Sequence, residues 1–546
     1  MLQEFQNSDH AHTNRLEMDN EAMYDLIIRG AKVIDGSGSP FFYADVAVKD
    51  GKIAAIGNGL TFSKQELDAH GLVLSPGFID SHSHDDMMAD LDSTFFHKLE
   101  QGITTQIAGM CGISAAPFSP EHLDSAMEIS STIVPYNFLA TADKRIHYAD
   151  YLDYMDRPLG CNMGLFVGHG FLRAAVMGLE VREPTVRELE DMKKLLRECL
   201  SAGAMGLSFG LIYPPSSYAQ TSEILELAKV VTEYDSVVSV HLRNEGDFLV
   251  EAVNEMIGVA QQSGCKLVLS HHKAINEQNW GKVKITLSMI DRANQEGAHV
   301  WCDQYPYNAS STGLMSRIPH HLHALGEKKL LALIHDPCSR SQLRKDILGE
   351  LTPEQLLAST MIGSSPSHPE FTGRMLLDIA KEQSMDVLDL LLDILYDDNF
   401  STNGIYFCMQ EQDVEMVLRY PRTMIGTDGI YYKNCSGAHP RAFGTFPRVL
   451  GRFVREKGIL TLEDAIRKMT SLPAYVYGLK RKGTIRTGMD ADIVLFHPDT
   501  VIDRADYVNC KQRNVGIAYV IVNGKIAVCQ EKFTNNCFGN LLRRGD

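Results

Sequence analysis

The stretch Ser75 to Asp86, S-P-G-F-I-D-S-H-S-H-D-D, constrains this chain more than any other. An apolar run, Leu72-Val73-Leu74, passes through Pro76-Gly77 into Phe78-Ile79-Asp80 and ends in His82-Ser83-His84. Side chains two apart on a strand point the same way. His82 and His84 are therefore expected side by side at a strand end, with imidazole nitrogens free for one metal ion. Two nearby histidines alone are more often surface decoration. Here the strand reads as buried and further candidate ligands follow at similar strand ends.

The chain has 546 residues, enough for one large domain and a smaller one. It is 44% hydrophobic and 22% charged, which is ordinary for a globular protein. The net charge of -17 argues against nucleic acid or an anionic membrane as partner, because both need a basic face. Eleven cysteines without C-x-x-C pairs fit reduced thiols and a cytoplasmic location. No run approaches the ~20 apolar residues of a spanning helix. Residues 1–22 are polar and read as a flexible extension, and His10 and His12 within it are not expected to bind metal.

Short strands and tight turns fill 23–71, with Asp35-Gly36 and Asp50-Gly51 as turn signals, and the same texture returns over 480–546 with Asn523-Gly524. The two ends predict one discontinuous small β-sandwich domain. Between them, over 72–479, eight apolar runs end in polar or glycine-rich tips: 72–84, 104–112, 163–173, 204–213, 237–245, 266–273, 299–307 and 423–429. Helical patterns such as Val186–Leu200 separate most of them. Eightfold strand–helix alternation predicts an α/β fold of the (β/α)8 TIM-like barrel type, with its chemistry at the C-terminal strand ends. The count alone also allows a doubly wound open sheet; the even spread of polar residues over the strand ends favours the barrel. Residues 308–422, between the seventh and eighth strands, carry helical patterns of their own and read as an insertion covering the pocket.

Parity sorts the remaining ligands. In 237–245, His241, Arg243 and Glu245 share a face; in 266–273, His271 keeps company with Lys273, so it is preferred over His272. Cys111 ends the second strand between glycines, where a thiolate ligand outweighs a buried hydrophobe. Asp428, in the G-T-D-G tip of the eighth strand, offers a metal ligand or a proton carrier, against an ion pair or turn cap as the plain alternative. His82, His84, Cys111, His241, His271 and Asp428 form a mixed nitrogen, sulfur and carboxylate set that suits zinc.

In motif order the chain resembles the amidohydrolase superfamily, and within it the N-acyl-D-amino acid deacylases (D-aminoacylases). The matching pieces are PGFIDSHSHDD, GITTQIAGMCGIS, GLSFGLIYPPSSYA, VHLRNEG, LSHHKA, CDQYPYNASST, IGTDG, HPRAFGTFPRVL, GTIRTGMDADIVLF and the closing GNLLRRG. Hydantoinase-like relatives bridge two metals with a carboxylated lysine, typically on the fourth strand; AMGLSFGLIY holds none, and the deacylase cysteine is present.

The resemblance implies a zinc-dependent hydrolase of N-acyl-D-amino acids, a small-molecule substrate. It implies a tight zinc on Cys111, His241 and His271 and a weaker position on His82, His84 and Asp428. Asp428 would be general base and then acid, with Lys273, Tyr305, Ser311, Arg441 and nearby Tyr213 around the substrate carboxylate. One departure stands out: the family's L-P-P-W-like stretch is replaced by Ile318-Pro319-His320-His321-Leu322-His323. His320, His321 and His323 are expected either to accept an acidic or polar group or to stand exposed. The rival readings are an amidohydrolase acting on a dipeptide or a ring imide, and an inactive scaffold. The latter should have lost a ligand or the aspartate, and none is missing.

Overall fold

The computed structural model describes residues 23–131, 143, 145–319, 322, 325–349, 351–431 and 439–546. The N-terminal extension with His10 and His12, and the insertion histidines His320, His321 and His323, lie outside the described residues.

The architecture is α/β. Eight parallel strands carry the site: β1 (Phe78–Asp80), β2 (Ile103–Ala108), β3 (Asn162–Leu165, resumed at Val167–Gly168), β4 (Gly206–Gly210), β5 (Val237–His241), β6 (Lys266–Leu269), β7 (His299–Gln304) and β8 (Thr423–Ile425). Each pairs in parallel with the next in chain order. No ladder joins β8 back to β1. Single contacts at their tips do so: Ser81 N to Ile425 O, Asp428 N to His82 O, and a parallel bridge between Ser83 and Gly429. The strands are nearly continuous runs of buried residues, as parallel strands covered on both faces must be. Ile79, Ile107, Phe166, Met205, Val237, Val268, Trp301 and Met424, from or beside each strand in turn, join one apolar cluster.

Helices follow most strands and cover them. The longest, Val186–Ala202, starts at a reciprocal cap: Thr185 Oγ1 accepts from Glu188 N, and the Glu188 carboxylate accepts from Thr185 N. It stops at Gly203, whose φ of 122° is open to glycine alone. No described helix is long and apolar enough to cross a membrane.

Both chain ends meet in one nine-stranded sheet, in which Val73–Pro76 pairs with Tyr24–Val33 on one side and Ile493–Phe496 on the other. The apolar run 72–84 is therefore two strands rather than one. Pro76-Gly77 redirects the chain from the end sheet into β1, and Gly77 packs so closely that a Cβ there would sit 2.0 Å from Thr104 Oγ1. The residues between β7 and β8 form a three-stranded antiparallel sheet, Ser310–Gly313, Asn403–Tyr406 and Thr360–Ser364, with helices such as Glu327–His335 and Val387–Asp397. They have their own apolar core around Leu314, Leu330, Leu391 and Leu395.

All eight strands end earlier than their apolar runs do, and the residues beyond the last ladder bond are the polar tips. Gly77→Ala is expected to lower stability by about 1–3 kcal/mol through overpacking. Thermal unfolding of Gly77→Ala alone and with Thr104→Ala tests this: the second change should recover part of the loss, and equal midpoints for wild type and Gly77→Ala would refute the contact.

Candidate metal centre

The six donors foreseen from the sequence come from five strand tips. His82 and His84 follow β1, Cys111 follows β2, His241 ends β5, His271 follows β6 and Asp428 follows β8. Three of them have left-handed backbone: Cys111 at φ 55°, His271 at 35° and Asp428 at 46°. Non-glycine residues seldom adopt this conformation, and they do so where the surroundings impose it. The kink, rather than strand parity, turns His271 inward, because β6 has already ended at Leu269. His272 faces the other way and its Nε2 meets Thr286 Oγ1 at 2.7 Å. Arg243 likewise leaves the face that parity assigns to it and pairs with Glu255 at 3.2 Å. The Cys111 tip fits against β4 only because residue 210 is glycine: a Cβ there would lie 2.0 Å from Cys111 O.

The donor atoms form two overlapping groups, His82–His84–Cys111–Asp428 and Cys111–His241–His271, each within 4.8 Å. Cys111 Sγ is 3.4 Å from His82 Nε2 and 3.3 Å from His271 Nε2. Asp428 Oδ1 is 3.0 Å from His84 Nε2 and 3.5 Å from His82 Nε2. Ligands around a tetrahedral cation with ~2.0–2.3 Å bonds stand roughly 3.3–3.8 Å apart, so this spacing suits one. His241 makes the stronger case: both its ring nitrogens are buried and without a hydrogen-bond partner, a costly state that a bound cation relieves.

The charges point the same way. Burial pushes the Cys111 thiol up, but the neighbouring His82 and His271 outweigh it and hold the thiol well below its ordinary range. Burial also opposes ionisation of Asp428, yet Arg441, His271 and His84 hold it well below the usual carboxylate range. His84, which burial would lower, is pushed up to about 9 chiefly by its bond to Asp428. Burial lowers His241, leaving it a neutral donor. Imidazole protons thus balance a thiolate and a carboxylate, and a cation binding here displaces those protons.

Two orienting carboxylates escaped the sequence reading. Asp303 Oδ2 meets His82 Nδ1 at 3.2 Å while its Oδ1 accepts from the His271 N–H at 2.6 Å. Glu245 Oε1 lies 3.2 Å from His271 Nδ1 and accepts from Lys273 Nζ at 2.5 Å. The signal was present, since Asp303 shares a strand face with Tyr305 and Glu245 lies four residues after His241. Nothing in the sequence connects either to a particular ring.

Five donors line a cavity, with His82 buried behind them. The expected substrate residues Tyr213, Lys273, Tyr305, Ser311 and Arg441 all reach the same cavity. Both cations are engaged: Lys273 by Glu245, and Arg441 by Asp428 Oδ2 at 2.7 Å and Ser311 O at 3.1 Å. Tyr305 lies under Arg441, 4.7 Å from ring centre to guanidinium. Tyr213 OH and Thr312 Oγ1, 3.2 Å apart, join the β4 tip to the insertion. The insertion adds Arg317, 4.0 Å above the Tyr406 ring, whose Nε is buried without a partner.

Residues 418–528 match the model of the Amidohydrolase family. An N-acyl-D-glutamate deacylase of Alcaligenes xylosoxydans xylosoxydans is 37% identical over 523 residues, 95% of this chain and 96% of that protein. A D-aminoacylase of the same organism is 34% identical over 95% of this chain and 98% of its own. Among solved structures, the N-acyl-D-glutamate deacylase from Bordetella bronchiseptica complexed with zinc and a phosphonate mimic of the tetrahedral intermediate superposes with a TM-score of 0.80. It is 36% identical, with 95% of this chain and 100% of that chain covered.

Asp303→Asn keeps the shape but weakens the carboxylate that orients His82, and metal affinity is expected to fall about 10–100-fold. Competition with a chromophoric chelator measures it; unchanged affinity would remove Asp303 from this role.

Proposed function

We infer the reaction from a plain premise: this chain belongs to the D-aminoacylase family of amidohydrolases. It is a metal-dependent hydrolase that cleaves the amide of N-acyl-D-amino acids to a carboxylate and a free D-amino acid. The observation that carries this reading is one cavity with two donor groups joined at Cys111 and a pair of cations, Lys273 and Arg441, within reach of them.

We assign the tighter zinc position to Cys111, His241 and His271, and a weaker one to His82, His84 and Asp428 with Cys111 shared. When bound there, zinc lowers the pKa of water to about 7 and polarises the amide carbonyl. The remaining steps belong to the chain. Asp428 accepts the proton of the attacking water and returns it to the leaving nitrogen. Lys273 and Arg441 hold the substrate carboxylate, Arg441 through its planar fork and Lys273 as a point charge. To do so they exchange their present partners Glu245 and Asp428 for the substrate. Tyr305 supplies the aromatic wall between the two cations, with Ser311 and Tyr213 at the insertion side.

We read the eight parallel strands as one (β/α)8 barrel, closed by the tip contacts between β8 and β1 and filled by their shared apolar cluster. The small domain expected as a β-sandwich over 23–71 and 480–546 is instead built on one nine-stranded sheet that also takes in Val73–Pro76; in the same reading 308–422 is an insertion that supplies one wall of the cavity. That wall favours an acidic amino-acid side chain. Arg317 offers an unpartnered buried N–H beside Tyr406 and Asn403, and the glutamate-specific names among the relatives support it.

Asp428→Asn should leave the Cys111–His241–His271 position filled while kcat falls about 100- to 10,000-fold; near-normal turnover would sink the proton role. Arg317→Met should cut kcat/KM for N-acetyl-D-glutamate by about 100-fold, the effect of unpairing a buried charge, and spare N-acetyl-D-methionine. An equal loss on both substrates would place Arg317 outside the side-chain site.

A further inference from the structure

Lys98 lies in the short helix Phe96–Leu99 and its side chain is wholly buried. Its ammonium donates to Asp80 Oδ2 at 2.7 Å, Thr427 Oγ1 at 2.9 Å and Ser83 Oγ at 3.1 Å. Asp85 Oδ2 stands 3.3 Å away. Asp80 extends the web: Oδ1 accepts from Thr427 N at 2.8 Å and His82 N at 3.2 Å, and Oδ2 from Thr427 Oγ1 at 2.7 Å. These residues interleave with the donors. Asp80 precedes His82 by two, Ser83 separates His82 from His84, Asp85 follows His84, and Thr427 precedes Asp428. None of the five lines the cavity.

A buried ion pair is a weak source of stability, because desolvation offsets most of its attraction. What it does well is hold geometry, since an ammonium has three donors and here each is used on a different residue. The geometry at stake is the one place where the sheet supplies no ladder. β1 pairs with β2 only as far as Asp80, β8 pairs with β7 only as far as Ile425, and between β1 and β8 there are just the tip contacts. Three backbone bonds cross the gap, Ser81 N to Ile425 O, Asp428 N to His82 O and His84 N to Gly429 O; beyond them the separation of the His82–His84 pair from Asp428 is left to side chains.

We propose that Lys98 is a positioning residue: with Asp80 and Thr427 it clamps the β1 tip to the β8 tip, and so keeps His82, His84 and Asp428 assembled as a donor group. The Cys111–His241–His271 group stands on β2, β5 and β6 and does not depend on the clamp. The consequence for turnover rests on the reading of Asp428 as proton carrier; the consequence for metal binding does not.

Lys98→Met strands two buried carboxylates, so the decisive variant is Thr427→Val, which keeps volume and removes the hydroxyl between Lys98 and Asp80, with Thr427→Ser as its conservative partner. Cobalt titration of the metal-stripped protein reads the two positions, and steady-state kinetics on an N-acetyl-D-amino acid reads kcat and KM. In Thr427→Val the tighter equivalent should bind as in wild type and the weaker one at least about 10-fold less well. kcat should fall by about 10-fold or more with KM within about 2-fold, because the carboxylate anchors lie elsewhere. Thr427→Ser should restore both. A purely structural role lowers the unfolding temperature and leaves the second cobalt equivalent and kcat untouched, which overturns the proposal, as does equal loss of both equivalents in a folded Thr427→Val. If Asp428→Asn itself stays active, the mechanism fails on that result, while the cobalt titration still decides the clamp.

Discussion

Cys111 Sγ, within 3.4 Å of one imidazole and 3.3 Å of another, couples everything in the cavity. Burial favours the neutral thiol, and only the histidines gathered around it hold the sulfur as thiolate. Because both donor groups include this atom, they cannot be arranged independently. The β2 tip must bring Cys111 over β4, which requires glycine at 210, and must bend into the left-handed region to aim the sulfur. The two imidazoles must arrive from β1 and β6; Asp303 meets the His82 ring at Nδ1 and accepts from the backbone N–H of His271.

The remaining charges follow a similar logic of pairing. Three cations near the donors have carboxylates: Arg441 has Asp428, Lys273 has Glu245, and Lys98 has Asp80 and Asp85. Such pairs make the interior tolerable to charge without adding much stability. They differ in what they hold. Lys98 bonds to residues of the two strand tips outside the cavity, whereas Lys273 and Arg441 face it. The insertion, with its own apolar core, closes the same cavity with Arg317 and Tyr406.

Much of this was readable in the sequence. His82, His84, Cys111 and Asp428 each stand at the end of an apolar run, where the period of two breaks and polar residues begin. Lys273, Tyr305, Ser311 and Arg441 reach the cavity as the family motifs imply. Reading fell short where a role depends on a partner far along the chain. Glu245 and Asp303 look like ordinary polar neighbours until their distances to His271 and His82 are known. Strand parity would turn His271 inward only if β6 ran on past its end at Leu269; a left-handed turn gives the direction instead. The run 72–84 hid a change of sheet, because Val73–Pro76 and Phe78–Asp80 are equally apolar and only the approach of Gly77 to Thr104 separates them.

The sequence by itself determined the alternation of eight apolar runs with helices, the kinds of donor available and the tips on which they sit. These follow from local periodicity and composition, which act over a few residues. Tertiary structure decided which donors share an atom, which carboxylate steadies which ring, and how the β1 tip is held to the β8 tip across more than three hundred residues of chain. Those choices turn on separations of about 3 Å, the range at which hydrogen bonds and ligand shells are made. No spacing along the chain carries that information.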